Sequence, residues 1–598
     1  MDKPSDDVPV NERVERLHSR NYFLKMAGAA GLGAAIGANV LLREAYAVNP
    51  TSPTHPSFSF STKADYTAFD VISDNFVQHS DSFDTNQGLY TSLAPAPPGN
   101  TGSVSVGGGV LSVNSNNKFF ALFPTGESPV APYASVIVDV KSFVGSARSE
   151  DTVYAGLVKD ASNYVAAWYN NATKKVGIDA MVGGKVKRLV VRDANLTAPG
   201  AVRLAFVLNS KEVTALADTG GPTGIGSQWK PLANYPNNPE VPGDPAITPG
   251  LSQYVDLRDP AVLAQYKYGF GVRGDRGTIA LDKVEAGYWG RAGVRDPHVV
   301  TWADGTPYIK NNKLYLTLTN AGLDFFATAH WGVYTLDLSN YTSPNALEEV
   351  GKIYSERDGK VFGDHAGHIV YDEAASNFLI GVSTWGDFTY NGVHVNYTRT
   401  GDLHGVQVLK NLQKLNLPTV SPTDTGTWDP HFVRIGGEWY VAFVDSPTQG
   451  NPWKHFPALA KGPDLEHLSL VGAESDLQQT EGMVMQKVGG KWYVLCSSGR
   501  GEIQDEDAGS ATYRIYLPEG DGTGGLKFFG KLKAPYVTNI PHPMITPLPV
   551  DGNTKWIMVT FDGTMYYEPI LGYGTHGDFY VMDGQPLQQG YEFPPRNP

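Results

Sequence analysis

Three short stretches carry acids in settings that invite proton chemistry: Arg295-Asp296-Pro297, Trp428-Asp429-Pro430 and Thr480-Glu481-Gly482. A carboxyl can hand a proton to a leaving group and a carboxylate can draw one from water. Acids that converge from distant parts of a chain are therefore candidates for acid–base work. Singly, each motif is ordinary, because Asp-Pro also caps turns; order and spacing carry the signal. Imidazoles accompany the acids. His298 and His431 each follow an acid by two residues, His368 sits in a matching segment and His542 opens another. Strand periodicity puts His298 on the face of Asp296 and His431 on that of Asp429, where they can meet a ligand, bind a metal or hydrogen-bond to one another. Arg295 alternates with Asp296 and is expected to point away, as an ion-pair partner. Asp364 and His365 are expected at the rim as substrate contacts, and Trp385 and Trp428 as aromatic faces beneath a ligand.

The elements that must position these groups form a repeat. Asp296-Pro297-His298-Val299-Val300, Ala366-Gly367-His368-Ile369-Val370, Asp429-Pro430-His431-Phe432-Val433, Glu481-Gly482-Met483-Val484-Met485 and Pro541-His542-Pro543-Met544-Ile545 each open a short hydrophobic strand. A turn and a second strand follow, as in Leu314-Tyr315-Leu316 or Trp439-Tyr440-Val441. A period of roughly 50 to 70 residues suits one four-stranded blade with long loops. Five copies predict a five-bladed β-propeller over residues 291–580, with 581–598 as a C-terminal tail. First strands of blades line a propeller's channel, so the starts Asp, Ala, Asp, Glu and Pro-His are expected to meet in one axial pocket.

Residues 67–290 alternate in strand fashion, as in Ser135-Val136-Ile137-Val138-Asp139-Val140 and Arg203-Leu204-Ala205-Phe206-Val207-Leu208. That pattern predicts antiparallel sheets packed as a sandwich, and hence an all-β chain. The run Tyr268-Gly269-Phe270-Gly271-Val272-Arg273 resembles the closing strands of concanavalin-like jelly rolls. Such a domain can support the propeller or bind carbohydrate through Trp168 or Trp229.

The chain's 66 Gly and 41 Pro suit many tight turns, and its net charge of -14 supplies no basic face for nucleic acid. The single cysteine, Cys496, lies within a hydrophobic strand and can form no internal disulfide. At the N-terminus, Ser19-Arg20-Asn21-Tyr22-Phe23-Leu24-Lys25 precedes a Gly/Ala-rich apolar run and Ala45-Tyr46-Ala47 offers a cleavage pattern. Residues 1–47 thus resemble a bacterial export signal of the twin-arginine type, with Asn21 where the second Arg belongs, and 48–66 read as a linker. The expected location is the periplasm, the medium or the cell surface, with no stable membrane insertion after cleavage.

On the acid motifs and His542, the C-terminal half resembles the five-bladed glycoside hydrolases of family 43 and their clan relatives. The resemblance implies Asp296 as general base, Asp429 as the group that raises and orients the acid, and Glu481 as general acid. It implies His542 beneath the pocket, as a substrate contact or beside a structural Ca2+, with no cofactor required. The implied activity is inverting hydrolysis of arabinofuranosyl or xylosyl linkages in poly- or oligosaccharides. Two alternatives stand beside it: a retaining sucrose- or fructan-cleaving propeller, whose first motif usually reads Asn-Asp-Pro-Asn, and a carbohydrate-binding propeller without catalysis.

Overall fold

The computed structural model describes residues 59–66, 69–94, 101–145, 150–194, 202–218, 229–236, 248–324, 326–388, 392–420, 426–448, 454–477, 479–488, 490–498, 512–517, 526–533, 542, 544–550, 553–561 and 577–585. The expected export segment 1–47 lies outside them.

Five sheets, counted among the described residues and each built on four antiparallel strands, make the blades of a β-propeller. Blade one pairs Val294–Val299, Lys313–Asn320, His330–Asp337 and Leu347–Arg357 in that order; blade two pairs His365–Asp372, Asn377–Ser383, Val395–Thr400 and Gln413–Lys414. Blade three runs Gly426–Ile435, Glu438–Thr448, Lys454–Gly462 and Ser469–Ala473, and blade four Thr480–Val488, Lys491–Ser498, Thr512–Leu517 and Lys527–Lys533. Blade five is built from both ends of the chain. Met544–Val550, Asn553–Phe561 and Phe579–Gln585 are completed by Ser59–Tyr66, paired antiparallel to the last of them. This corrects two expected boundaries. The Ser/Thr-rich composition of 59–66 reads as linker, and 581–585 reads as tail, yet together they close the ring. A fourth strand from the far terminus leaves fewer unpaired edges on a circular array than a free end does.

Between that closing strand and blade one, the chain makes two further sheets. Lys185–Asp193, Lys175–Val182, Asn163–Asn170, Thr152–Asp160, Lys267–Gly274 and Phe119–Pro124 form one. The other is centred on Tyr133–Gly145 and the 15-residue strand Gly277–Arg291. They face each other across one apolar core that includes Val136, Val138, Leu157, Val165, Phe206 and Phe270. A second cluster, with Tyr133, Trp289, Tyr354 and Val361, spans the join between this sandwich and blade one. Each such side chain contributes about 1.5–3 kcal/mol by leaving water. The join is also polar: buried Lys352 donates to the Trp289 carbonyl at 3.0 Å and to Glu349 Oε1 at 2.9 Å, while Ser73 Oγ donates to Glu349 Oε2 at 2.5 Å.

Candidate active site

The innermost strands share one deformation. Pairing with the second strand slips by a residue between Arg295 and His298, His365 and His368, Trp428 and His431, and Glu481 and Val484. Each slip is a β-bulge, and each holds a left-handed residue: Asp296 at φ 52°, Ala366 at 55°, Asp429 at 50° and Gly482 at 70°. His542, at φ 44°, precedes the first strand of blade five in the same way. The structure thus shifts one expected equivalence. Gly482, rather than Glu481, matches Asp296 and Asp429, because glycine fills the left-handed position in blade four. Glu481 stands one step outward, level with Arg295, His365 and Trp428.

This offset lets three carboxylates approach one imidazole. His542 Nε2 lies 3.4 Å from Asp296 Oδ1, 3.8 Å from Asp429 Oδ2 and 4.0 Å from Glu481 Oε2. Asp429, Glu481 and His542 offer ligand atoms all within 4.8 Å of one another. Neighbouring blades fix these groups. The Gly482 N–H donates to Asp429 Oδ2 at 2.9 Å, and Ser383 Oγ accepts the Asp429 N–H at 3.1 Å. Ser497 Oγ donates to the Glu481 carbonyl at 3.1 Å and accepts the His542 N–H at 3.4 Å. Trp428 Nε1–H donates to Glu481 Oε1 at 3.2 Å, and His455 Nε2 lies 3.6 Å from the same oxygen.

The electrostatics divide the acids differently from the sequence expectation. Burial pushes the Asp429 carboxyl up to about 8 against the pull of His542, with Glu481 and Asp296 adding to the rise. Burial would raise Glu481 as well, but the His542 hydrogen bond and the charges of His455, His542 and Arg295 outweigh it and hold Glu481 at about 2. His542 itself is raised: burial opposes its charge, and Asp296, Glu481 and Asp429 overcome that. Two carboxyls this close share a proton. In the resting channel it sits on Asp429, the deeper of the two, and Glu481 is the more open.

Several expected contacts lie elsewhere. Asp364 is fully buried, gripped by Arg357 Nε at 2.8 Å and Nη2 at 2.9 Å and by the Gly386 N–H at 3.0 Å, so it anchors a loop instead of lining the rim. His365 is buried with Nδ1 2.8 Å from the Gly363 carbonyl, near enough to Asp296 to feel its charge. Trp428 is fully buried and Trp385 nearly so, their rings 5.4 Å apart, which makes them a wall behind Glu481 and not an open platform. His431 stacks with both His368 and His298, while the His298 ring is tilted against His368. Arg295 does not point away: its Nε lies 3.6 Å from Asp296 Oδ1, because the bulge breaks the period-two alternation. Cys496 is buried and unbridged. His455, on the third strand of blade three, went unread in the sequence because it belongs to no repeated start. No helix among the described residues is long and apolar enough to cross a membrane.

No family model matches the chain, family 43 included, and no curated protein matches it. Among solved structures, Bacillus subtilis levansucrase shares 11% identity over 49% of this chain and 84% of its own, at a TM-score of 0.38. A B. megaterium levansucrase variant shares 10% over 50% and 86%, also at 0.38. A levansucrase variant complexed with sucrose shares 10% over 49% and 83%, at 0.37. Likeness at this level assigns nothing to this chain.

Proposed function

We propose that the propeller is a glycoside hydrolase whose reaction runs at the mouth of the channel. The observation that carries this reading is the convergence of Asp296, Asp429 and Glu481, from three blades, within 4.0 Å of one imidazole nitrogen. Glycoside cleavage needs one carboxyl to protonate the leaving oxygen and one carboxylate to act on the other side of the sugar. Glu481 is the part-open acid at which a leaving oxygen can collect the proton stored with Asp429. Asp296 is the carboxylate that attacks carbon or activates water, and Arg295 and His542 hold it. His542, whose protonated form the three carboxylates favour, offsets part of their mutual repulsion.

Spacing allows a retaining course, and it is the course we propose. Asp296 Oδ1 and Glu481 Oε2 lie 3.4 and 4.0 Å from the same nitrogen. Their separation cannot exceed the sum of those distances. That limit, which concerns one oxygen of each group, admits both the retaining separation of about 5–5.5 Å and the lower end of the inverting range of about 6.5–9.5 Å. The mechanism proposed is attack by Asp296 on the anomeric carbon as that carbon's bond to the leaving oxygen breaks, the proton held by Asp429 passing to Glu481 and from it to the leaving oxygen; water then attacks the same carbon, the Asp296 ester bond breaks, and Glu481 takes up the water's proton and returns it to Asp429. This is the retaining alternative, proposed in place of the inverting course that the family 43 resemblance implies. For the sugar, we propose furanosides, with arabinofuranosyl and fructosyl linkages first and xylosyl linkages beside them, on an exported protein.

The test is a panel of aryl furanosides and pyranosides, sucrose, fructans and arabinoxylans, followed by early proton NMR on the best substrate. The expected product keeps the substrate's anomeric configuration, and Asp296→Asn and Glu481→Gln each lose at least about a hundredfold in turnover. Initial release of the inverted anomer would remove the nucleophile role but leave the site. Full activity in either variant would remove the site.

A further inference from the structure

We propose that Glu212 of the sandwich and Asp324 of blade one form a carboxyl–carboxylate latch between the two domains, closed by one shared proton and opened by its loss. Glu212 belongs to the hairpin of Val202–Asn209 and Glu212–Asp218, whose two-residue turn is Ser210-Lys211. All four residues from Asn209 to Glu212 are buried, although a hairpin turn ordinarily faces water. Their seat is the connection between the blade-one strands Lys313–Asn320 and His330–Asp337. Asn209 Oδ1 accepts the Leu323 N–H at 3.4 Å. Nearby, Tyr133 Oη donates to the Ala327 carbonyl at 3.0 Å and accepts the Gly363 N–H at 2.8 Å.

Glu212 is 2% exposed and Asp324 3%. Neither Glu212 oxygen meets a hydrogen-bond donor, and the group it faces is the Asp324 carboxyl. Two ionised carboxylates so placed would repel each other with nothing to donate to Glu212, so the donor has to be a proton carried by the pair itself. The other charged group acting on Glu212 is Lys211, whose Nζ donates to the Thr248 carbonyl at 2.7 Å. Arg258 and Asp364 act one step further off, on Tyr133. Burial and the Asp324 charge raise Glu212 well above the ordinary 4.5 against the pull of Lys211. The latch's contribution is therefore complete below about pH 4.5 and is lost as pH climbs through the folded value. A cavity of about 280 Å³ lies against the same turn, lined by Ser210, Lys211 and Arg258 on one side and Ala327, Lys360 and Gly386 on the other; it is the route proposed for the proton.

Rings connect the latch to the carboxylate site. Phe326, two residues past Asp324, lies 4.9 Å from Trp385, whose ring is 5.4 Å from Trp428, the donor to Glu481. Opening the latch slackens the wall behind Glu481. That consequence for turnover rests on the glycosidase reading; the latch does not.

The test is amide hydrogen exchange on the full-length protein at about pH 5.5 and about pH 9, corrected for the intrinsic pH dependence of exchange. Segments 209–212 and 322–329 of the wild type should exchange at least about tenfold faster at the higher pH, while Lys313–Asn320 keeps its protection. Glu212→Gln donates an amide N–H to Asp324 with no titrating proton, so it should hold those segments closed at both values. Asp429→Asn, altered in the channel, should open as the wild type does. If Glu212→Gln does not fold, Asp324→Asn takes its place with donor and acceptor exchanged. Equal protection of the wild type at both values, or opening of the amide variant as in the wild type, would overturn the latch. So would closure of the seam at the higher pH by added Ca2+, which would assign the pair to a cation instead of a proton.

Discussion

His542 is the residue on which the three acids depend. Without a positive partner, three carboxylates in one buried pocket would repel each other and take up protons; with it, Glu481 stays ionised and Asp429 keeps one proton. The consequence for pH has a definite sign. The unfolded chain ionises Asp429 above about pH 4, while the folded site holds that proton up to about 8. Between those values the unfolded state binds fewer protons, so stability falls as pH rises. His542 adds the same sign, since its raised value gives stability that is present below about 6.5 and lost as pH climbs through the folded value. Glu481 acts oppositely and only in acid, its contribution disappearing as pH drops from about 4.5 toward about 2. The melting temperature should therefore be lower at pH 8 than at pH 5.5, and Asp429→Asn should flatten that slope; an unchanged slope in the variant would show that the proton is held elsewhere. The acids were legible because their motifs recur with the blades. Which acid holds the proton was not, since that depends on depth and on His455, neither of which leaves a mark in the sequence.

The bulge is the element that makes the site. It turns each first strand so that one residue enters the channel in a left-handed conformation, which for an L-residue costs about 1–2 kcal/mol. At Asp296 and Asp429 that strain places a carboxylate in the candidate site; at Ala366, φ 55°, it places no titratable group. Ala366→Gly is expected to stabilise the protein by about 1 kcal/mol in denaturant unfolding, and a loss of stability would mean that the buried methyl outweighs the backbone. Gly482→Ala should do the reverse. A Cβ there would stand 2.6 Å from His542 Cγ, on backbone at φ 70°, so the variant should lose about 2 kcal/mol or more and at least tenfold in turnover by displacing His542. The repeat itself was readable from the alternation of Pro or Gly with hydrophobic pairs. The one-residue offset of Glu481 was not, because Asp-Pro and Glu-Gly look alike as turn signals while the left-handed residue is the first of one pair and the second of the other.

At the scale of the molecule, sequence order and spatial order part company at the ends of the chain. Ser59–Tyr66 precedes the sandwich by sequence but finishes blade five, so the sandwich sits between the closing strand and blade one. Nothing in an eight-residue polar strand announces a partner some 500 residues away, and only a ring that lacks one strand makes the need visible. Ala64 and Tyr66 of that strand are buried in the apolar cluster that includes Leu316 and Phe579. The Tyr66 ring lies 5.9 Å from that of Phe579 and its hydroxyl donates to the Tyr341 carbonyl of blade one. Tyr341 Oη in turn donates to Asp583 Oδ1 at 2.5 Å, and Lys555 Nζ pairs with Asp583 at 3.1 Å. The closing strand thereby ties blade five, which carries His542, to blade one, which carries Asp296. Tyr66→Ala removes a buried aromatic and orphans a carbonyl, so unfolding in denaturant should show a loss of about 3–5 kcal/mol. Turnover should fall at temperatures well below those that affect the wild type, because any loosening of this seam separates His542 from Asp296. A variant with an unchanged midpoint would mean that the ring is closed by other contacts and that the strand is an ornament on its edge.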